Sequence, residues 1–227
     1  MTGARYDGVA DWYEENLVPF TQAATETIVD ALGIGPGRCV DVGCGTGPHF
    51  PALLAAGWSL TGIDESEDQL RVARERVGST VDLIVGDAAA MPFSDASFDA
   101  AMSAFTHTDA EDFAQVATEI ARVLRSGGRF VYCGLHPCFS GPFVEQPRAD
   151  GSRVIHPGYE TAGIYFSGPG TAVDGLHSKV GCRHIPLADL LNAVLGAGFR
   201  ITAVTEGGTR PLPEWIAVSA VRPYAVR

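Results

Sequence analysis

The chain reads as an α/β protein built on a doubly wound, mostly parallel seven-stranded sheet that finishes in a C-terminal antiparallel hairpin. Three observations predict this. Apolar runs of strand length alternate with amphipathic runs of helix length between residues 38 and 135, and repeated βα units require parallel strands with helices on both faces. The stretch CVDVGCGTGPHF (39–50) sets three glycines directly behind the first apolar run, where a tight strand-to-helix turn needs a backbone without Cβ atoms. The last two apolar runs are separated only by GGTRPLP, which returns the second beside the first.

Taken in order, residues 7–33 place Trp12, Leu17, Phe20, Ile28 and Leu32 among acids and are expected as helix ending near Gly33 and Gly35. RCVDVG (38–43) is a buried strand, PALLAAG (51–57) a helix stopped by Gly57, and SLTGID (59–64) the second strand. SEDQLRVARERVG (66–78) is a helix in which Ser66 and Gln69 have the spacing of a capping box. VDLIVGD (81–87) and FDAAMSAF (98–105) are the third and fourth strands. DAEDFAQVATEIARVLRSGG (109–128) is an amphipathic helix closed by a glycine pair, and RFVYCGL (129–135) is the fifth strand. PLADLLNAVLGAG (186–198) starts on Pro and ends on Gly, as a helix does. RITAVTE (200–206) and EWIAVSAVR (214–222) complete the sheet.

Composition narrows the function. The 227 residues suffice for one sizeable domain, with 46% hydrophobic and 19% charged residues. The net charge is −11 and Lys179 is the sole lysine, so the basic stripe of a nucleic-acid binder is missing and a small-molecule ligand is favoured. The N-terminal residues lack the basic-then-apolar pattern of a secretory signal. With an odd number of cysteines (Cys39, Cys44, Cys133, Cys138, Cys182), a reduced, cytoplasmic chain is the expectation. Cys133, His136 and Cys138 lie close together, but the paired spacings of a zinc site are lacking, and no metal is expected.

The glycine turn stands at the end of the first strand, where doubly wound sheets bind ligands. Its spacing is G-x-G-x-G (Gly43, Gly45, Gly47) rather than the G-x-G-x-x-G of dinucleotide sites. Asp41 precedes it inside the strand, Asp64 closes the second strand, and Asp87 closes the third. An acid at a strand end accepts hydrogen bonds from ribose hydroxyls, so the set describes a nucleoside site without a pyrophosphate.

At these residues the chain resembles the class I S-adenosylmethionine-dependent methyltransferases. The resemblance covers residues 6–135 and the terminal hairpin, and rests on VDVGCGTG, LTGIDESEDQL, GDAAAMPFSDASFDAAMS and EIARVLRSGGRFV in series. It implies a Rossmann-like fold, S-adenosyl-L-methionine (SAM) as cofactor, and a role for each matching position. Gly43, Cys44, Gly45, Thr46 and Gly47 would pass under the methionine part, with Asp41 near its amino group. Asp64 would hold the ribose, flanked by Glu65, and Asp87 and Ala88 would read the adenine. Ser103 to Phe105 would line the cofactor beside the methyl group. The N-terminal helical segment, 1–35, resembles a lid that sets a tyrosine over the cofactor, Tyr13 first and Tyr6 in reserve.

Methyl transfer from a sulfonium needs alignment and exclusion of water, and a general base only when the acceptor must lose a proton. His136, after the fifth strand, and His107, after the fourth, are the candidate bases. Each has a bland alternative as a packing or turn residue. The Gly- and Pro-rich stretch 137–185 carries aromatic residues, Arg148, Arg153 and three histidines, and is expected to cover the acceptor. The expected function is a methyltransferase acting at O, N or C of a small molecule, as a monomer or homodimer. A SAM-binding protein of another activity, a cyclase or a regulator, is the alternative, and a nicotinamide-dependent dehydrogenase is disfavoured by the glycine spacing.

Overall fold

A computed structural model describes residues 4–171, 175–208 and 211–224. The elements run α1 (Ala10–Asn16), α2 (Val18–Gln22), α3 (Thr25–Leu32), β1 (Gly37–Val42), α4 (Phe50–Ala55), β2 (Trp58–Asp64), α5 (Glu67–Val77), β3 (Asp82–Val85) and β4 (Phe98–Ala104). After a 3₁₀ turn (Thr106–Thr108) come α6 (Phe113–Val123), β5 (Leu124–Leu135), β6 (Gly163–Tyr165), α7 (Leu176–Val180), β7 (Cys182–His184), α8 (Leu187–Gly196), β8 (Arg200–Gly207) and β9 (Trp215–Val221). The main sheet has seven strands in the order β3-β2-β1-β4-β5-β9-β8. The first five are parallel, and β9 pairs antiparallel with both β5 and β8. This is the expected doubly wound, Rossmann-like sheet with a terminal hairpin, and its order reverses between β1 and β4.

Both faces of the sheet are packed. On one, Phe98, Phe130, Tyr132, Val218 and Ile216 meet Phe113, Ile120, Leu190 and Val194 of α6 and α8. On the other, Cys39, Met102, Val131 and Cys133 meet Ile28, Leu32, Leu53 and Leu70 of α3, α4 and α5. Side chains alternate between faces along each buried strand, so both layers are apolar and β1 reads as a nearly continuous apolar run.

Four features differ from expectation. The helix expected over 7–33 is broken into α1, α2 and α3, because Pro19 lies at the start of α2 and carries no N–H to continue the previous turn. The helix expected over 109–128 is shorter at both ends. Asp112 caps α6 by accepting from the N–H groups of Ala114 and Gln115, and the chain turns extended at Leu124 to pair with Phe98. At α5, Ser66 Oγ accepts from Gln69 N at 3.3 Å, but the Gln69 amide does not return the bond, since Ser66 N donates to Asp64 Oδ1 at 2.9 Å. Residues 137–185 are not plain loop: β6 and β7 form a separate two-stranded sheet. In the connection between β8 and β9, Thr209 and Arg210 lie outside the described residues. Among the described residues no helix is long and apolar enough to cross a membrane, and no group of His, Cys, Asp or Glu is arranged to hold a metal ion.

Candidate active site

The carboxyl ends of β1 and β4 open a crevice where the strand order reverses, and a cavity of about 350 Å³ lies there. That volume falls in the range of roughly 300–1,000 Å³ usual for small-molecule sites. The glycine turn forms one wall. Gly43, Gly45 and Gly47 all have positive φ (70°, 54° and 69°), but for different neighbours. A Cβ on Gly43 would strike Thr106 Cγ2 and one on Gly47 the ring of Phe50, whereas on Gly45 the nearest atom is Gln69 Oε1 at 3.6 Å. Protein packing therefore requires the outer two glycines, whereas at the middle one an added Cβ meets no atom closer than 3.6 Å.

Four of the turn's amides are already committed. Gly43 N and Cys44 N donate to Ile63 O at 2.8 and 3.1 Å, Gly47 N to Cys44 O at 2.9 Å, and Gly45 N to Asp64 Oδ2 at 2.9 Å. A pyrophosphate cradle needs such N–H groups free, so the geometry speaks against a dinucleotide, as the spacing did.

The charged groups on the cavity wall are carboxylates. Asp64, Glu65 and Asp87 stand at the ends of β2 and β3, and Asp109, Glu111 and Asp112 face them from the start of α6. Among the described residues, no Lys, Arg or His lines it. Burial pushes the Asp64 carboxyl up to about 6 against the opposing pull of the Ser66 and Gly45 amides. Burial, with the Asp64 charge second, pushes Asp41 up to about 8. Asp41 lies 1% exposed on a smaller adjoining void of about 30 Å³, bordered also by Thr21, Thr46 and His49. Tyr13, Gly43, Gly45 and Phe105 border both spaces.

The expected cofactor residues thus divide by position. Tyr13, Gly43, Gly45, Asp64, Glu65, Asp87, Ala88 and Phe105 line the larger cavity, and Asp41, Cys44 and Thr46 the smaller. Gly47 and Ser103 line neither. Ser103 is buried, bonding Val42 O at 3.0 Å and Thr106 Oγ1 at 2.6 Å, and so supports the wall from behind. Phe105 holds a left-handed backbone, φ 60°, a strained conformation of the kind that gathers at functional sites. Its ring packs on Phe20 at 5.7 Å.

Neither candidate base reaches the cavity. His107 is 3% exposed, its Nδ1 is hydrogen-bonded to the Tyr132 hydroxyl, and burial lowers its pKa to about 3. His136 is 2% exposed, with Nε2 2.7 Å from Glu206 Oε1 and Nδ1 accepting from Cys138 N at 3.2 Å. Both rings are held inside the fold, and neither lines the larger cavity or the smaller void.

Three other residues occupy the walls. Tyr6 and Tyr13 meet edge to face at 5.9 Å. The Tyr6 hydroxyl donates to Asp109 Oδ1 at 2.9 Å, and burial raises Asp109 to about 6. Gln69 lies on the wall beside Gly45. Asp109 was legible only as the first residue of the helix expected over 109–128, and Gln69 only as a helix cap. The N-terminal segment is fastened across the site by Arg5, whose guanidinium donates to Val180 O at 2.9 Å and to Asp109 O at 2.8 Å. Ser66 Oγ donates to Asp7 at 2.7 Å, and Arg71 pairs with Asp11 at 2.7 Å.

Comparison with known proteins agrees with this geometry. A family model described as a methyltransferase domain matches residues 40–132. The demethylmenaquinone methyltransferase of Renibacterium salmoninarum is 35% identical over 146 residues, covering 62% of this chain and 61% of that protein. The chain spans about three-fifths or less of the curated relatives' length. Among solved structures, an S-adenosylmethionine dependent methyltransferase from Mesorhizobium loti superposes with a TM-score of 0.71 at 26% identity, covering 95% of this chain and 99% of that one. A cyclase shares the fold at 20% identity, with a TM-score of 0.64 over 89% of this chain and 81% of its own. From the glycine turn, the strand-end acids and these matches together, residues 40–132 match a methyltransferase domain, and the chain as a whole is similar to S-adenosylmethionine-dependent methyltransferases.

Proposed function

We propose that the protein transfers the methyl group of SAM to a small molecule that is neutral or cationic. The observation carrying this reading is a set of buried polar atoms that the protein itself leaves without partners. Asp41 Oδ1 and Oδ2, Thr46 Oγ1 and both amide atoms of Gln69 lack hydrogen bonds among the described residues, and all flank the glycine turn. Leaving such a group unpaired costs about 1–3 kcal/mol each, and a ligand bearing an ammonium and hydroxyls is the complement that removes the cost. The residues therefore fit the cofactor. Asp41 would take the amino group, Asp64 and Glu65 the ribose, and Asp87 and Ala88 the adenine, with Tyr13 and Tyr6 covering the site.

When bound, SAM supplies an electrophilic methyl for in-line displacement. The chain's own task is to position and to exclude water. The 1–35 segment serves as lid, bridging α5 and the 137–185 insertion, which covers the acceptor side. Support comes from Arg5 on Val180 O and from Lys179, whose ammonium lies 5.1 Å from the Trp12 ring centre. With both histidines internal, catalysis is by alignment. For an acceptor that must shed a proton, Asp109 is the titratable group on the wall nearest the tyrosines. The acidic lining disfavours phosphorylated or carboxylated acceptors by like-charge repulsion.

The test is S-adenosylhomocysteine formation, followed by mass spectrometry, with an acceptor panel headed by demethylmenaquinone, since a 35%-identical relative bears that substrate in its name. Turnover with a neutral or amine acceptor supports the reading. SAM binding without S-adenosylhomocysteine from any acceptor favours a cyclase-like or regulatory role, for which the cyclase of the same fold is precedent. Preference for NAD over SAM in calorimetry overturns the cofactor.

A further inference from the structure

Gln69 occupies the first turn of α5 and is 2% exposed, yet among the described residues neither its amide nitrogen nor its amide oxygen has a partner. The spacing to Ser66 equips it to close a capping box, but Asp64 has taken the Ser66 N–H, so the amide is released from that duty. It sits instead on the cavity wall, 3.6 Å from where a Gly45 Cβ would stand. Gly45 in turn donates to Asp64. Turn, acid and amide thus form one compact corner.

That corner is short of donors. The N–H groups of Gly43, Cys44, Gly45 and Gly47 are consumed within the fold. Asp64 and Glu65 only accept when ionised. The other side-chain amide on the wall, Gln115, is exposed on α6 and already donates to Ala89 O at 3.4 Å. A ribose diol presents two O–H donors and also oxygen lone pairs, and the carboxylate satisfies only the donors. We infer that Gln69 is a ligand-binding residue that donates to a ribose oxygen of the adenosyl ligand, completing with Asp64 a donor–acceptor pair for the diol. Keeping a buried amide unpaired weakens the free protein, and such a cost persists where a ligand removes it.

The inference rests on the adenosyl-ligand reading, and calorimetry with two probes separates the two. S-adenosylhomocysteine carries the ribose and the amino-acid part, whereas 5′-methylthioadenosine keeps the ribose and lacks the amino acid. Gln69→Met removes the amide at nearly constant volume. Gln69→Glu keeps the size and loses the donor at neutral pH, so it serves if the first variant folds poorly. Either variant is expected to weaken both probes by about 5- to 10-fold, the worth of one hydrogen bond. Gln69→Met is also expected to raise the melting temperature of the free protein, a change that a purely structural glutamine would not give. Unaltered affinity for both probes overturns the assignment. Loss confined to S-adenosylhomocysteine overturns the ribose contact by moving it to the amino-acid end. A wild-type protein that binds neither probe brings down the adenosyl reading itself.

Discussion

Asp64 Oδ2 accepts the backbone N–H of Gly45 at 2.9 Å, so one carboxylate both faces the cavity and ties the tip of β2 to the glycine turn after β1. Its other oxygen accepts Ser66 N at 2.9 Å. Asp64→Ala is therefore expected to act twice. It weakens SAM binding by about 1–3 kcal/mol through loss of a charged acceptor, and it lowers the melting temperature of the free protein. Asp64→Asn retains an acceptor for one amide and should recover part of the stability but little of the affinity. Calorimetry beside thermal melts checks both, and unchanged SAM affinity in Asp64→Ala removes the ribose role.

The three glycines should separate under substitution by alanine. Gly43→Ala meets Thr106, which is itself fixed by Ser103, and Gly47→Ala meets Phe50. Both should lose stability steeply, because collision adds to the strain of a left-handed residue. Gly45→Ala meets nothing closer than 3.6 Å and carries only the conformational cost of about 1 kcal/mol. It should fold and bind SAM more weakly. A Gly45→Ala protein less stable than Gly43→Ala contradicts this division.

Asp41 makes the free protein sensitive to alkali. Its folded pKa, about 8, lies above the ordinary carboxylate value, so between the two the native state keeps a proton that the unfolded chain has lost. Stability consequently falls as pH rises through that window. His49 and His107, lowered by burial to about 4 and 3, have the opposite sign, but their contribution is complete once pH exceeds the free histidine value of about 6.5. From pH 6.5 to 8 the Asp41 slope stands alone among these groups. It amounts to about 1.5 kcal/mol, or about 3–6 °C in melting temperature for a chain of this size. Asp41→Asn should flatten that slope. SAM binding near pH 7 should release a proton as the ammonium restores the carboxylate, seen as a binding enthalpy that varies with buffer.

The parts of this molecule set by local pattern were legible before any coordinates. β1, β2 and β4 are buried apolar runs, and the strand-end positions of Asp64 and Asp87 follow from where those runs stop. Boundaries decided by tertiary partners were not. The amphipathic period of α6 continues toward Gly127, and only pairing of Leu124 with Phe98 shows where the helix ends. The same holds in the site. His107 and His136 follow strands at the ligand-binding edge, but sequence does not reveal which way a ring turns. Tyr132 claims one and Glu206 the other. Gln69 was legible as a cap because its spacing is right, and it is not one because Asp64 competes for the same N–H.

His136 gives the sharpest contrast between a catalytic and a structural histidine. Cys138 N donates to Nδ1, so that nitrogen carries no proton in the neutral ring, and Nε2–H is left to donate to Glu206. The ring also packs on Phe139 at 4.7 Å, and the main chain is held by His136 N on Glu214 O at 3.0 Å. These contacts pin the start of the 137–185 insertion to the β8–β9 hairpin. His136→Ala should therefore cost about 1–3 kcal/mol of stability, by leaving the Cys138 amide without its acceptor, while S-adenosylhomocysteine affinity stays within about twofold. Glu206→Ala should cost less, since that carboxylate is 52% exposed and recovers water. The two losses should be less than additive in a double-mutant cycle, because either change breaks the same bond. A folded His136→Ala protein that binds SAM normally and yet fails to turn over a proven acceptor would return the histidine to the chemistry.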